Sequence, residues 1–171
     1  MATTPERLPS YIGLGWELIR TGTFTSNFDI TGLNGNADKL WMLIMRMKHT
    51  ELIAPALRFN NDSGSNYENI WHYSSYDDGI MYHEADQDGP VTYIYLYVSG
   101  GPNIFVIAYI SAVAGQVRQV IAFSNEYWST TKRCWGENIG VWKNTTDNIT
   151  TINLLPDPVT AGEYWLFRVK T

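Results

Sequence analysis

The sequence predicts an all-β protein, an antiparallel, jelly-roll-like β-sandwich, and three observations carry that prediction. Apolar and polar side chains alternate with a period of two along most of the chain. The alternating runs are short and are separated by clusters of Gly, Asn, Asp and Pro, and no convincing helical period interrupts them. Aromatic residues make up 14%, with seven Trp and eleven Tyr, side chains that suit a pleated, half-buried surface. About ten short strands with turn signals between them fit a sandwich or a barrel.

The organising stretch runs from Leu57 to Tyr67. An alternating run stops at Asn60-Asn61-Asp62-Ser63-Gly64-Ser65-Asn66 and restarts at an aromatic, which reads as strand, tight polar corner, strand. Asn, Asp and Ser bond their own backbone in such a corner, and Gly64 is free to take positive φ.

In chain order, Tyr11 to Arg20 leads into the first strand. Phe24 to Ile30 then places Phe24, Phe28 and Ile30 on one face and Thr25, Asn27 and Asp29 on the other. Gly32 to Asp38 is turn chemistry built on Asn34-Gly35. Leu40 to Met47 is a continuous apolar run that suits a buried strand or a buried helix, and its brevity and turn-rich flanks favour the strand. Leu52 to Phe59 follows, with Pro55 limiting how central it can be in a sheet.

Tyr67 to Tyr73 and Gly79 to Tyr82 are expected to flank a polar loop, Ser74 to Asp78, and Asp86-Gln87-Asp88-Gly89-Pro90 reads as a further turn. Val91 to Val98 is the clearest strand signal: Tyr93, Tyr95 and Tyr97 share one face and Ile94, Leu96 and Val98 the other. Ile104 to Val113, Gln116 to Phe123, Ile139 to Lys143, Ile149 to Leu154 and Glu163 to Val169 complete the strands. The expected core comprises Phe28, Ile30, Leu43, Phe59, Ile94, Leu96, Ile107, Ile121, Ile152 and Phe167.

Size and charge narrow the function. At 171 residues, 44% apolar and 17% charged, the chain fits one globular domain over residues 11–171, preceded by an arm, Met1 to Ser10, that contains Pro5 and Pro9. The net charge is −5 and no basic cluster is longer than Lys132-Arg133, so nucleic acid is not an expected partner. A single cysteine, Cys134, forms no internal disulfide. Met1 to Ser10 lacks the pattern of a secretory signal, and the most apolar run, Ile104 to Ala114, is about half the ~20 residues a membrane helix needs.

Phe28-Asp29-Ile30 with the Leu33 turn, Leu40 to Arg46, the Leu57 to Tyr67 corner, and the ending from Ile139-Gly140-Val141-Trp142 through Ile149-Thr150-Thr151-Ile152 to Ala161-Gly162-Glu163-Tyr164 resemble a family of bacteriophage and prophage virion proteins. The likeness covers most of the chain and includes a Gly just before the last strand, at Gly162. The resemblance implies a jelly-roll sandwich serving in capsid decoration or in a tail. It implies a virion location, other virion proteins as partners (major capsid or tail proteins), and a homo-oligomer, with a trimer expected. The matching motifs are turn-and-strand patterns rather than catalytic signatures, and no catalytic residue and no cofactor is expected.

Chemical constellations are sparse. His72, His83, Asp77, Asp78, Asp86 and Asp88 lie near one another in sequence and offer imidazole and carboxylate to a transition metal, but in no known ligand spacing, so polar loop tips are the expected reading and no metal is assigned. Asn60 to Ser65 and Asp86 to Gly89 lack the bidentate Glu of a calcium loop. Glu84 with Asp86, or Asp157 with Glu163, offers paired carboxylates for glycoside cleavage, and surface loops are the alternative. Cys134 with His72 or His83 resembles no nucleophile signature, and a small buried hydrophobe is expected instead. Three glycosylation patterns, at Asn61, Asn144 and Asn148, carry little weight without a signal peptide.

The candidate binding residues are therefore aromatic: Tyr93, Tyr95, Tyr97, Trp128 and Trp135. They offer a stacking platform for a carbohydrate such as a host surface glycan, the alternative to a purely structural role; equally, such side chains fill cores and subunit interfaces.

Overall fold

A computed structural model of the chain describes residues 15–49, 54–77, 79–97, 102–127, 129, 132–156 and 158–170. Among these residues lie β1 (Trp16–Phe24), β2 (Phe28–Thr31), the helical turn α1 (Gly35–Asp38), β3 (Leu40–Lys48), β4 (Ala56–Phe59), β5 (Tyr67–Asp77) and β6 (Ile80–Val91). They are followed by β7 (Ile94–Tyr95), β8 (Asn103–Ser111), β9 (Arg118–Tyr127), β10 (Lys132–Trp142), β11 (Thr151–Leu155) and β12 (Ala161–Val169).

The strands form an antiparallel β-sandwich of unequal sheets, one in the order β1-β12-β3-β8-β9-β10-β5-β6, the other β2-β11-β4-β7. Strands far apart in the chain pair with one another, β1 with β12 and β2 with β11, as in a jelly roll. No helix among the described residues is long and apolar enough to cross a membrane.

The period of two explains the core. Trp41, Leu43, Met45 and Met47 of β3 and Ile104, Val106, Ala108 and Ile110 of β8 point inward. They meet Ile30, Leu57, Phe59, Ile94, Ile152 and Leu154 of the smaller sheet in one apolar cluster. Burial of each such large side chain stabilises the fold by about 1.5–3 kcal/mol. Arg118 and Trp142 fill the space at one end of β9 and β10, while four inward positions in the middle of these strands are instead small, Ala122, Ser124, Gly136 and Gly140. There the second sheet approaches closely, and Ile94 sits directly over Gly140.

The Leu57 to Tyr67 corner carries the chain from β4 in one sheet to β5 in the other. Its left-handed residues are Asn60 (φ 54°) and Asn61 (φ 60°), not Gly64. Asn tolerates that region because its side chain satisfies nearby backbone: Asn60 Oδ1 accepts from the Thr150 and Thr151 amides at 2.9 and 3.1 Å. Asp62 accepts from the Trp142 indole at 2.7 Å, from Asn66 Nδ2 and from the Gly64 amide. Burial pushes the Asp62 carboxyl up, but these donors outweigh it and hold it below its usual value. The Tyr67 hydroxyl, raised above its ordinary range by burial, accepts from Phe59 N and donates to Asp62 O.

Several expected boundaries move. Phe24 to Ile30 is two strands with a turn between them, although Phe24 and Phe28 still stack at 4.6 Å. The Gly32 to Asp38 turn contains a helical turn capped by Asn34. Ser74 to Asp77 lies within β5, and Asp86 to Pro90 within β6, because β6 is an edge strand with one neighbour and tolerates a residue without an N–H. Val91 to Val98 is not one long strand: Val91 closes β6 opposite Tyr67, Ile94–Tyr95 forms β7, and Val98 lies outside the described residues. Ile121 is 40% exposed on the outer side of β9, and Ile107 and Phe28 are half-buried, so three expected core residues lie outside it or at its rim. Phe167 is buried, but on the face opposite the core. The expected arm, Met1 to Ser10, lies outside the described residues.

Candidate functional site

One face of the eight-stranded sheet packs on the smaller sheet; the opposite face carries the features that stand out. Antiparallel register lines its residues up in rows across the strands. One row is apolar over seven strands: Leu18, Phe167, Met42, Tyr109, Ile121, Ile139 and Ile70. At ~4.8 Å per strand it is about 29 Å long. The next row continues it with Trp165, Ile44, Ile107 and Phe123, then turns polar at Glu137 and His72. The third is mixed: Glu163, Arg46, Phe105, Asn125, Trp135, Ser74 and His83.

Exposure rises along the first row. Met42 and Phe167 are buried, and Trp16, at the start of β1, reaches over the two intervening strands to place its ring 6.2 Å from Tyr109. From β8 onward the face is open, and Ile70, Phe105, Tyr109, Ile121, Phe123, Tyr127, Trp135 and Ile139 are all exposed by a third or more. With aromatic side chains of order 150–250 Å² and exposures near two-fifths, these eight present about 600 Å² of apolar surface. That is at the top of what monomers carry, roughly 300–600 Å².

The aromatic residues expected to bind do not form one platform. Tyr97 is buried, and its hydroxyl donates to the Glu126 carboxylate inside the sandwich. Tyr93 and Tyr95 are half-buried with their hydroxyls 3.2 Å apart, and burial, then the bond from Tyr93, raises the Tyr95 hydroxyl above its usual range. Their backbone is tied to Asn69, whose side chain donates to Tyr93 O and accepts from Tyr95 N. Both lie beside the β5–β10 seam on the core side. Trp128 lies outside the described residues. Of the described candidates, Trp135 alone stands on the open face, with its ring edge-on to His72 at 5.5 Å.

The same geometry agrees with the expectation of Cys134 as a small buried side chain. Cys134 is buried and points inward, whereas His72 and His83 stand on the outer face, so the sheet separates thiol from imidazole. The His72 and His83 rings stack at 6.3 Å, and the Ser74 hydroxyl meets His83 Nδ1 at 2.8 Å. Among the described residues no group of three or more His, Cys, Asp and Glu side chains converges as a metal site would require. Glu163 is held by Arg46 at 2.8 Å.

The sequence reading missed the face itself. The available signal was that β8 and β9 are apolar in both phases of their alternation, which fits a sheet buried on both sides. Comparison of the chain with family models, with curated proteins and with solved structures finds no match.

Proposed function

We propose that this protein is a non-enzymatic structural subunit that assembles as a homo-oligomer, a trimer, through the outer face of its eight-stranded sheet. The observation that carries this reading is the apolar row from Leu18 to Ile70 with its open end on β8, β9, β10 and β5. The exposed residues of that row, Tyr109, Ile121, Ile139 and Ile70, with Phe123 of the next row, form an apolar centre, and the polar surface around them supplies the remainder of the ~800 Å² per partner of a stable protein interface. A second copy fits because the patch is flat, regular and apolar at its centre, as homo-oligomer interfaces are. The virion setting, as a capsid-decorating or tail-associated subunit beside other virion proteins, is supported by the family resemblance in the turn-and-strand pattern.

Light scattering coupled to size exclusion tests the assembly. The unaltered chain is expected at three chain masses, and Ile121→Glu/Phe123→Glu at one, with unchanged far-ultraviolet circular dichroism, since both residues are outside the core. A chain that stays monomeric at high concentration overturns the reading, as does a double variant that assembles normally.

A further inference from the structure

Beyond the apolar rows the outer face changes character, and a groove of about 540 Å³ opens over the ends of β1, β12, β3, β8 and β9, with Phe24, Met47 and Ile104 as its apolar floor. Phe105 and Tyr127 supply flat, exposed rings; Asn103 and Asn125 supply amides; Arg46 and Lys48 supply cations; Glu163 closes the β12 side. We infer that this groove binds a linear acidic oligosaccharide, of the uronate class, independently of subunit assembly.

The chemistry of the lining selects the ligand. A pyranose ring has an apolar C–H face, which an aromatic plate covers, and an equatorial rim of hydroxyls. That rim needs planar groups able to donate and accept at once. Asn125 stands directly between Phe105 and Trp135 in the third row, with an amide flanked by a ring on either side. Arg46 adjoins Phe105 on the other side and is held by Glu163 at 2.8 Å, which fixes part of its donor fork before a ligand arrives. An apolar peptide would leave these polar groups unpaired on binding, and that loss disfavours it.

Spacing and charge refine the class. Phe105 and Trp135 are two strands apart, about 10 Å, which matches alternate rings of an extended pyranose chain lying across the strands. Arg46 and Lys48 in the groove, with Arg133 beside it opposite Tyr127 of β9, outnumber Glu163, the one carboxylate among the groove's described lining residues, on a chain whose net charge is −5. A local excess of cations on an acidic protein draws in anionic saccharides and repels little else.

Titration calorimetry with an oligogalacturonate tetramer tests the proposal, with cellotetraose as the neutral control. Binding to the acidic tetramer is expected, weakening as salt rises, and falling at least tenfold in Phe105→Ala and in Asn125→Ala, both of which keep the circular dichroism of the parent. Ile121→Ser/Phe123→Ser, which removes the same apolar contacts without adding charge and is expected at one chain mass, is expected to bind as the parent does; loss of binding there overturns the independence from assembly. No binding of the tetramer, equal binding of cellotetraose, or full binding by Phe105→Ala overturns the site.

Discussion

Gly140→Ala probes how closely the two sheets meet. Gly140 points inward from β10, opposite Val120 and Asn69, and lies beneath Ile94 of β7. A Cβ placed there comes within 2.9 Å of Ile94 Cγ1 and 3.0 Å of Ile94 Cβ, against the ~3.5–4.0 Å of a comfortable carbon contact. Ile94 is fully buried and β-branched, so it cannot swing away, and the sheets must part or the side chain must leave its rotamer. Overpacking of this kind costs about 1–3 kcal/mol, offset by up to ~1 kcal/mol from the less flexible unfolded chain. The net loss is about 1–2 kcal/mol, a fall in Tm of about 2–8 °C for a chain of this length. Urea and thermal unfolding followed by tryptophan fluorescence measure it. Gly136→Ala is the control, because its nearest neighbour is the rotatable Ser124 hydroxyl at 3.2 Å. In an Ile94→Ala background the Gly140→Ala loss should vanish. A loss of the same size in that background would refute the claim that Ile94 fills the space a Cβ needs.

Two further outcomes follow from the polar interior. Burial holds the His49 imidazole below its usual pKa, with Nδ1–H donating to Pro158 O at 2.8 Å. The unfolded chain therefore takes up a proton on acidification before the folded chain does. Stability is full above about pH 6.5 and declines as pH falls toward the lowered native value, by at most ~1.4 kcal/mol per pH unit. His49→Phe should flatten that slope in urea titrations between about pH 8 and pH 5, and an unchanged slope counts against it. Asp62→Ala strips the Trp142 indole N–H of its acceptor and should lower stability by about 1–3 kcal/mol by chemical denaturation, whereas Asp62→Asn keeps an acceptor and should lose less.

Much of the fold was legible because the alternation is clean where one face is polar. The strands expected at Ile149 to Leu154, Leu52 to Phe59 and Glu163 to Val169 are found as β11, β4 and β12 with shifted bounds. The failures share a cause. In β8 and β9 large apolar residues occupy both phases, so size suggested that Ile107 and Ile121 were core, whereas the tight sheet spacing reserves the inward sites for Ala108 and Ala122. Tyr93, Tyr95 and Tyr97 alternate with Ile94 and Leu96, but the segment bridges two sheets and is held by Asn69 and Glu126, a long-range polar arrangement with no local signature. The groove is likewise invisible in sequence: Arg46, Phe105 and Asn125 become neighbours only through the β3–β8–β9 register.

The two edges of the large sheet bear on which modes of association the fold permits. At one edge β1 is broken by a bulge between Leu18 and Arg20, which twists the strand and interrupts its row of free backbone groups. At the other, β6 carries Glu84, Asp86 and Asp88 with no Lys or Arg, and Pro90 lacks an N–H to offer a newcomer. Neither border templates another strand. Growth by sheet extension, the route to open fibres, is thus disfavoured at both edges of this sheet. A protein built this way can be held at high local concentration without polymerising.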